Sequence, residues 1–273
     1  MTILCIDFMN IAHRARSGFQ AGDYPVVFNF FRQFKALVEQ FKPNRVYVVL
    51  EGRPVERHEA LPEYKANRVV PVDDPRRDEL ERFFKQKDVI LGLLSKHFPV
   101  AVVRHPTSEA DDTIANLVCT STPVVPWTIV SSDTDFIQVL QEYPHVSLYN
   151  PVKKQFVEAP EYPYLTWKAL RGDSTDNIPG IPGIGDKTAE KIAMDPSLLV
   201  ETMKDSTKAE LFQRNYDLIE FKRWSNDEAT QMTSSAPTKD WSMIKNTFDS
   251  MGFQSITKDG TWEKFVATFD RLW

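Results

Sequence analysis

Apolar and polar residues alternate along the first half of the chain in a pattern that predicts strands and helices in turn. ILCID (3–7) and VYVVLE (46–51) are short, apolar and rich in β-branched residues, and each ends in a carboxylate. Apolar residues at helical spacing between them predict a helix that buries Val27, Phe30, Phe31, Phe34, Leu37, Val38 and Phe41. A strand, a helix and a strand in succession predict a parallel pair with a right-handed crossover.

Two more strands are predicted further along the chain, at PVAVV (99–103) and WTIVSSD (127–133). The helix between them is expected to run from Glu109 to about Cys119, with Ser108 as its cap. The whole pattern predicts an α/β protein with a doubly wound parallel sheet, which binds its ligands beyond the carboxyl ends of the strands. Asp7, Glu51 and Asp133 are expected at that edge.

A polar and basic segment interrupts this alternation. RPVERHEALPEYKANRVVPV (53–72) has no sustained period, and Asp74-Pro75 then resembles a helix start. The helix that follows has an apolar stripe formed by Leu80, Phe83, Phe84, Ile90, Leu91 and Leu94. We expect residues 64 to about 88 to form a positively charged excursion above the strand ends. The alternative is a solvated amphipathic helix packed on the core.

The second half of the chain is mostly helical, apart from a β ribbon expected at about 146–158. The Ser/Thr/Asp/Lys-rich stretch 225–239 is expected to be a loop, and the tail 241–273 is expected to pack back as a cap.

RGDSTDNIPGIPGIGDKTAEKIA (171–193) holds four of the ten glycines. Pro179 and Pro182 are expected to prevent a regular strand or helix, and Gly185 and Asp186 to begin a helix. Such a glycine turn is either a phosphate-binding corner or a tight turn between packed helices.

The composition is ordinary for a soluble globular protein, since 42% of the 273 residues are hydrophobic and 26% are charged. No apolar run approaches the roughly 20 residues needed to cross a bilayer, and no signal-like segment precedes Asp7. Cys5 and Cys119 have neither metal-ligand nor disulfide-framework spacing and are expected to be reduced. We therefore expect a cytoplasmic protein without a membrane partner. Its net charge of −5 argues against a nucleic-acid ligand unless cations neutralise the acids.

Acidic residues cluster in three short motifs: SEADD with Glu109, Asp111 and Asp112, SSDTD with Asp133 and Asp135, and GDSTD with Asp173 and Asp176. Helix-dipole or solvation effects explain any one motif alone. Together with Asp7 and Glu51, however, the motifs would meet at one sheet edge, where like charges raise one another's pKa. Hard divalent cations such as Mg²⁺ or Mn²⁺ are the natural counter-ions for this oxygen-only set. Two ions about 4 Å apart suit phosphodiester hydrolysis.

The motifs, in this order, resemble those of the 5′-nuclease or flap endonuclease family, which includes the 5′-nuclease domain of bacterial DNA polymerase I and free-standing bacteriophage enzymes. The resemblance covers roughly residues 3–221 and rests on ILCIDFMNIAHR, VVLEGRPVERHEALPEYKANR, SEADDTIANLV, SSDTDFIQVL, GDSTDNIPGIPGIGDKTAEKI and LFQRNYDLIEF. It implies a PIN-like α/β nuclease core over 1–160 with a helical arch at about 64–96. A mainly helical DNA-binding region over 161–273 would include a helix-three-turn-helix at about 165–195 and the C-terminal cap. Because no polymerase domain follows, the phage-type enzyme is the closer expectation.

The resemblance also implies residue roles. The first metal is expected at Asp7, Glu51, Glu109 and Asp111, the second at Asp133, Asp135, Asp173 and Asp176, with Asp112 between them. Catalytic roles are implied for Asp7, Asp133, Lys65 and Arg68, the last two at the foot of the arch beside the scissile phosphate. DNA contacts are implied for Arg14, Tyr64, Arg76, Arg77, Gly183, Gly185, Lys187 and Lys191. Glu51 departs from the family's Asp and reaches one methylene further, which is expected to alter its contact with the first metal.

The implied activity is a structure-specific 5′ nuclease, both flap endonuclease and 5′–3′ exonuclease, acting in replication or in primer and flap removal. It would be a monomer that cleaves DNA with a 5′ flap, nick or free 5′ end, using two Mg²⁺ ions that Mn²⁺ replaces, with K⁺ in the helix-three-turn-helix. A phage origin would place it in the host cytoplasm. Two alternatives stay open: a junction-binding protein that does not cleave, and a nuclease acting on the RNA of RNA–DNA hybrids.

Overall fold

The computed structural model describes residues 1–20, 22–68, 70–71, 74–122 and 124–273. Val69, Val72 and Asp73 of the expected excursion therefore lie outside the described residues. The strands are β1 (Ile3–Asp7), β2 (Arg45–Leu50), β3 (Ala101–Arg104), β4 (Trp127–Val130), β5 (Val146–Asn150), β6 (Gln155–Val157), β7 (Gly172–Asp173), β8 (Ile178–Pro179) and β9 (Thr233–Ser234).

Seven of these strands form one central sheet in the order β6-β5-β4-β1-β2-β3-β9. Strand β1 is parallel to β2 and β4, β3 is parallel to β2, and β5 is parallel to β4. Each edge strand is antiparallel to its neighbour: β6 pairs with β5, and β9 pairs with β3. The parallel core order 3-2-1-4-5 is that of a doubly wound sheet, so the predicted fold class is confirmed.

The helices alternate with these strands and then dominate the second half of the chain. They are α1 (Phe8–Arg16), α2 (Pro25–Phe41), α3 (Val55–Ala60), α4 (Arg77–His97), α5 (Ala110–Cys119), α6 (Ile137–Glu142), α7 (Tyr164–Arg171), α8 (Asp186–Met194), α9 (Pro196–Thr202), α10 (Ser206–Ile219), α11 (Asn226–Ala229), α12 (Trp241–Ser250), α13 (Gln254–Thr257) and α14 (Thr261–Asp270), with a 3₁₀ turn at Ala66–Arg68. In the described part of the chain, none of them is both long and apolar enough to cross a membrane.

The C-terminal helices pack back onto the rest of the chain and contribute side chains to the main core. Phe31 of α2 is fully buried, and its ring lies 5.0 Å from those of both Phe98 and Phe248. Phe34 lies 5.0 Å from Phe269 of α14. The tail thus covers one face of the sheet together with α2, since large apolar rings that meet in this way bury substantial surface.

Three local expectations differ from the structure. Glu109, not Ser108, caps α5, because its side chain forms a capping box with Asp112. The stretch 225–239 is not simply a loop: it contains α11 and β9, and β9 extends the sheet beside β3. In the stripe of α4, Phe83 and Ile90 are buried as expected, but Phe84 is 45% exposed.

The glycine-rich stretch folds as a tight β pair followed by α8. Strands β7 and β8 pair over two residues each, so Pro179 and Pro182 limit the strand but do not prevent it. Gly185 is the N-cap of α8, as predicted. Gly180 lies so close to the preceding helix that an added Cβ would come 2.0 Å from the Arg171 carbonyl oxygen.

Replacing Gly180 with alanine should destabilise the protein, because this contact with backbone requires the β pair to shift. We expect a loss of about 1–3 kcal/mol in the free energy of unfolding, measured by urea denaturation. Gly185→Ala is the matched control: its Cβ would meet nothing within 4 Å, and its loss should stay under about 1 kcal/mol. Equal losses would show that the close approach at Gly180 does not matter.

Candidate active site

The carboxyl ends of the parallel strands open into a cavity of about 1120 Å³. Its lining includes two predicted cationic catalytic residues, Lys65 and Arg68, and the predicted DNA-contact residue Arg14. It also includes seven of the predicted acids, namely Asp7, Glu51, Glu109, Asp111, Asp133, Asp173 and Asp176. The structure therefore brings together acids that lie as much as 169 residues apart in the sequence, from position 7 to position 176.

Asp7 lies where β1 ends and α1 begins. Its Oδ1 accepts a hydrogen bond from the Asn10 backbone N–H at 3.2 Å, which caps α1, and its Oδ2 accepts one from Ser131 Oγ at 2.9 Å. Burial raises the pKa of Asp7 to about 6, and these two hydrogen bonds only partly oppose that rise. Two hydrogen bonds thus fix the Asp7 carboxylate in a buried position that disfavours its ionised form.

Glu51 and Asp111 share this environment. Glu51 Oε2 accepts a hydrogen bond from the Ala110 backbone N–H at 2.9 Å. Burial, followed by the charge of Asp7, raises the pKa of Glu51 to about 7. Burial and the neighbouring Glu109 raise the pKa of Asp111 well above its usual range. Because no lysine or arginine in the described part of the chain forms an ion pair with Asp7, Glu51 or Asp111, we call these three the uncompensated acids.

A second group, formed by Asp135, Asp173 and Asp176, has ligand oxygens within 4.8 Å of one another. Here the charge is compensated by Lys168, whose buried Nζ contacts Asp135 and lies 2.7 Å from Asp173 Oδ2. Burial still raises the pKa of Asp135 to about 6. At Asp173 burial also acts upward, but Lys168 and hydrogen bonds outweigh it and lower the pKa. Asp133 is linked to both groups: its Oδ1 accepts a hydrogen bond from the Asp135 backbone N–H at 2.9 Å, and its own backbone N–H donates at 3.1 Å to Ser131 Oγ, which donates to Asp7.

Basic residues from the segment after α3 reach the same acids. Lys65 Nζ lies 2.5 Å from Glu109 Oε1 and 3.4 Å from Asp176 Oδ2, and Arg68 also pairs with Asp176. Arg68 keeps half of its side chain exposed, at 49%. Two cations therefore stand at the rim of a carboxylate cavity, where a bound anion would be attracted to them.

Tyr64 lies beneath this rim, which corrects its expected role as a DNA contact. The residue is 3% exposed, and its hydroxyl lies 2.8 Å from Glu109 Oε2 and 3.1 Å from Asp176 Oδ2. A buried ring whose hydroxyl proton is directed at these carboxylates supports the site from below and is not accessible to DNA.

Asp112 also differs from the expectation that it lies between two metals. One oxygen of Asp112 does lie within 4.8 Å of oxygens from Glu109 and Asp111. Its carboxylate, however, is 2% exposed, does not line the cavity, and forms a two-pronged ion pair with Arg57 at 2.7 and 2.8 Å. The structure places it behind the site.

The remaining predicted DNA contacts lie outside the cavity. Arg76 pairs with Asp74 at 2.6 Å, and Arg77 begins α4 and pairs with Glu81 at 3.8 Å. Gly183, Gly185, Lys187 and Lys191 are exposed at and after the N-terminus of α8. An added Cβ at either glycine would meet nothing within 4 Å, so the backbone there is open to a ligand. Their role in DNA binding stays a prediction.

Sequence reasoning missed two cations inside the structure, the buried Lys168 and the nearly buried Arg57. No pattern distinguishes a single lysine in α7 or a single arginine in α3 from a solvated surface charge. What identifies them is their contact with acids that are 33 and 52 residues away in the sequence.

The donor set suits divalent cations. Every candidate ligand is a carboxylate oxygen, which is the donor that Mg²⁺, Mn²⁺ and Ca²⁺ prefer. Burial, and after it the charge of neighbouring acids, raises the pKa values of the uncompensated acids, so a cation bound among them would stabilise their ionised forms.

Residues 2–163 match the family model of the 5′-3′ exonuclease N-terminal, resolvase-like domain. A protein of Mycobacterium tuberculosis described as a 5′-3′ exonuclease is 32% identical over 188 residues, which are 59% of this chain and 57% of that protein. The thermostable DNA polymerase I of Thermus filiformis is 32% identical over 233 residues, which are 79% of this chain and 26% of that protein. The chain thus spans little more than half of the first relative and about a quarter of the second.

Two solved structures have a similar fold. A bacteriophage T5 flap endonuclease, solved in a pseudo-enzyme-product complex with DNA and metal ions, has a TM-score of 0.68 at 20% identity, with 99% of both chains covered. The catalytic core of Rad2, solved with a DNA substrate, has a TM-score of 0.58 at 15% identity, with 98% of this chain and 91% of that chain covered.

Removing the Lys168 ammonium should destabilise the metal-free protein, because Asp135 and Asp173 lose their buried counter-ion. For Lys168→Met we expect a loss of about 3–5 kcal/mol in the free energy of unfolding without metal, and a clearly smaller loss with Mg²⁺ present. The control Lys245→Met removes an exposed pair with Asp249 and should cost less than about 1 kcal/mol in both conditions. If Mg²⁺ did not reduce the loss of stability in Lys168→Met, the idea that Lys168 and Mg²⁺ neutralise the same carboxylates would be contradicted.

Asp7→Asn should stabilise the metal-free protein at high pH. The pKa of Asp7 is raised by folding to about 6, so its ionisation opposes folding, and the penalty develops as the pH rises from about 4 to beyond 6. Above pH 7 we expect the variant to be more stable by roughly 1–3 kcal/mol, with the difference vanishing near pH 4. The measurement is urea denaturation across this pH range, with Asp259→Asn in an exposed loop as the control. A variant that is less stable than its parent at pH 8 would contradict this assignment.

Proposed function

The chain belongs to the 5′-3′ exonuclease family, and on that premise we propose that it is a structure-specific 5′ nuclease that hydrolyses DNA phosphodiesters with two divalent cations, Mg²⁺ by preference. The observation that carries this proposal is the convergence of seven acids with Lys65 and Arg68 in one cavity at the carboxyl ends of the strands. When bound, two such ions activate a water molecule on one side of a phosphodiester and stabilise the leaving oxygen on the other.

The protein's own residues would hold and orient the reacting groups. Asp7, Glu51 and Asp111 form no ion pair with a lysine or arginine in the described part of the chain, although the nearby Lys65 charge lowers the pKa of each, and they would hold one ion with Glu109. Asp133, Asp135, Asp173 and Asp176 would hold the other. In this proposal the longer Glu51 side chain serves in place of the family's Asp, fixed by its hydrogen bond from Ala110.

Lys65 and Arg68 would recognise the scissile phosphate. Both now pair with Asp176, and Lys65 also pairs with Glu109. An incoming phosphate offers the same type of anionic oxygen, so these cations would exchange a carboxylate contact for a phosphate contact. Their charge would then stabilise the extra negative charge that develops on the phosphate in the transition state.

The duplex part of the substrate would bind at the N-terminus of α8. The open backbone at Gly183 and Gly185, together with exposed Lys187 and Lys191, favours phosphate contacts that do not read bases. The single-stranded 5′ arm would pass the excursion that carries Arg76 and Arg77. Removal of flaps or primers during replication, a monomeric state, K⁺ binding in the turn before α8 and a cytoplasmic location are parts of the same proposal.

Asp133→Asn should abolish cleavage and keep duplex binding, because Asp133 lines the acid cavity, whereas the duplex contacts proposed at α8 do not. We expect Mg²⁺-dependent cleavage of a labelled 5′-flap DNA to fall by about 100-fold or more, with the dissociation constant for the flap changed by less than about threefold. Asp259→Asn should cleave like the parent. Full cleavage by the Asp133 variant would contradict the metal assignment.

The substrate class is tested in the same assay with the unsubstituted protein. Cleavage of flap and nicked DNA supports the proposal, whereas a clear preference for RNA–DNA hybrids would overturn DNA as the main substrate. Binding without cleavage in both Mg²⁺ and Mn²⁺ would identify a junction-binding protein.

A further inference from the structure

Arg57 of α3 forms a complete set of hydrogen bonds although it belongs to the polar, basic segment that precedes α4. Its guanidinium is nearly buried, with the side chain 11% exposed. Nε donates to the Leu218 carbonyl at 3.0 Å, and Nη2 donates to the Glu220 carbonyl at 3.1 Å. Nη1 lies 2.6 Å from Glu109 Oε2, and the two prongs to Asp112 measure 2.7 and 2.8 Å.

These five contacts use every donor that a guanidinium has, since arginine carries five N–H groups. Arg57 therefore has no N–H left for a DNA phosphate, unlike the half-exposed Arg68 of the same segment. It also does not line the carboxylate cavity. Its charge is directed inward, at two carboxylates of the α5 N-terminus.

The carboxylate of Asp112 likewise has all of its hydrogen-bonding positions occupied. Its Oδ1 accepts from Arg57 Nη2 and from the Lys222 backbone N–H at 2.9 Å. Its Oδ2 accepts from Arg57 Nη1 and from the Glu109 backbone N–H at 3.2 Å. A carboxylate has about four lone-pair sites, so no oxygen site remains for a metal ion.

The two saturated groups join three parts of the fold. Glu109 begins α5 and lines the cavity, while Leu218 and Glu220 lie at the end of α10. Helix α10 packs against α7, where Asn215 donates to the Ala169 carbonyl at 3.0 Å. Helix α7 leads directly into β7, which ends in Asp173. Arg57 thus links Glu109 with the helical region that carries Asp173 of the group formed by Asp135, Asp173 and Asp176.

We propose that Arg57 and Asp112 act as a positioning pair. They fix the carboxylate of Glu109 toward the cavity and hold the end of α10 on α5, and neither of them binds metal or DNA. This inference rests on the proposed function in one respect only, the assignment of Glu109 as a metal-facing residue. Arginine is required here because lysine offers three donors from a single point and cannot replace a planar fork with five donors.

The number of bound metal ions distinguishes Asp112 from the acids proposed as metal ligands. Mn²⁺ binding, counted by calorimetry, should show as many ions for Asp112→Asn as for the unsubstituted protein, whereas Asp111→Asn should bind one ion fewer. Loss of one ion in the Asp112 variant would overturn the proposal. This arm does not depend on cleavage, so it remains decisive even if the protein proves not to be a nuclease.

Arg57→Lys tests the positioning role. We expect the Mg²⁺ concentration for half-maximal flap cleavage to rise by about 10- to 100-fold, with the flap dissociation constant unchanged, as for other residues that orient a metal ligand. Weaker flap binding with a shallower salt dependence would show instead that Arg57 contacts DNA. A lower melting temperature with an unchanged Mg²⁺ requirement would show that Arg57 only stabilises the fold. Either result would overturn the proposal.

If Arg57→Lys does not fold, Asp112→Asn tests both parts of the proposal: the number of Mn²⁺ ions should stay the same while the Mg²⁺ concentration for half-maximal flap cleavage rises, and an unchanged Mg²⁺ requirement would overturn the positioning role. That variant is the milder change, because Asn116 independently holds the same segment on α5 through the Lys222 carbonyl at 2.7 Å and the Trp224 backbone N–H at 3.1 Å.

Discussion

The free-energy cost of burying several carboxylates close together is the constraint on which the rest of this structure depends. A doubly wound sheet collects the ends of its parallel strands at one edge, and this chain places an acid at or just after several of those ends. Burial makes each charge costly, and proximity makes it more so. The surrounding structure partly offsets this cost. Hydrogen bonds stabilise the carboxylates of Asp7 and Glu51, and cations pair with those of Glu109, Asp173 and Asp176.

The two acid groups meet this constraint in different ways. The group of Asp135, Asp173 and Asp176 contains a protein cation, Lys168, within the acid cluster itself. The uncompensated acids contain none and have raised pKa values instead. A divalent cation among the uncompensated acids would meet the charge of Lys65, which pairs with the neighbouring Glu109, whereas in the second group it would share Asp135 and Asp173 with the buried ammonium of Lys168. Behind both groups, Arg57 and Asp112 neutralise each other and keep the first turn of α5 in place.

The sequence predicts the central sheet and the acids at its edge because both are local patterns: an apolar strand such as 3–7 and the carboxylate that ends it are adjacent in the chain. It does not predict Lys168, Arg57 or the saturation of Asp112, because these depend on contacts between distant segments. The sequence predicts that the C-terminal tail packs back as a cap, but it does not predict the contact of Phe269 with Phe34, because these residues are distant in the chain. The burial of Tyr64 is not predicted for the same reason, because a tyrosine in a basic segment resembles a surface residue in the sequence.

The central claim is that these two acid groups form two divalent-cation sites, and anomalous diffraction from crystals grown with Mn²⁺ tests it most directly. The account predicts one peak bounded by Asp7, Glu51 and Asp111, and a second bounded by Asp135, Asp173 and Asp176. It predicts none within bonding distance of Asp112. Crystals in which Mn²⁺ binds elsewhere on the protein while both acid groups stay empty would contradict the account.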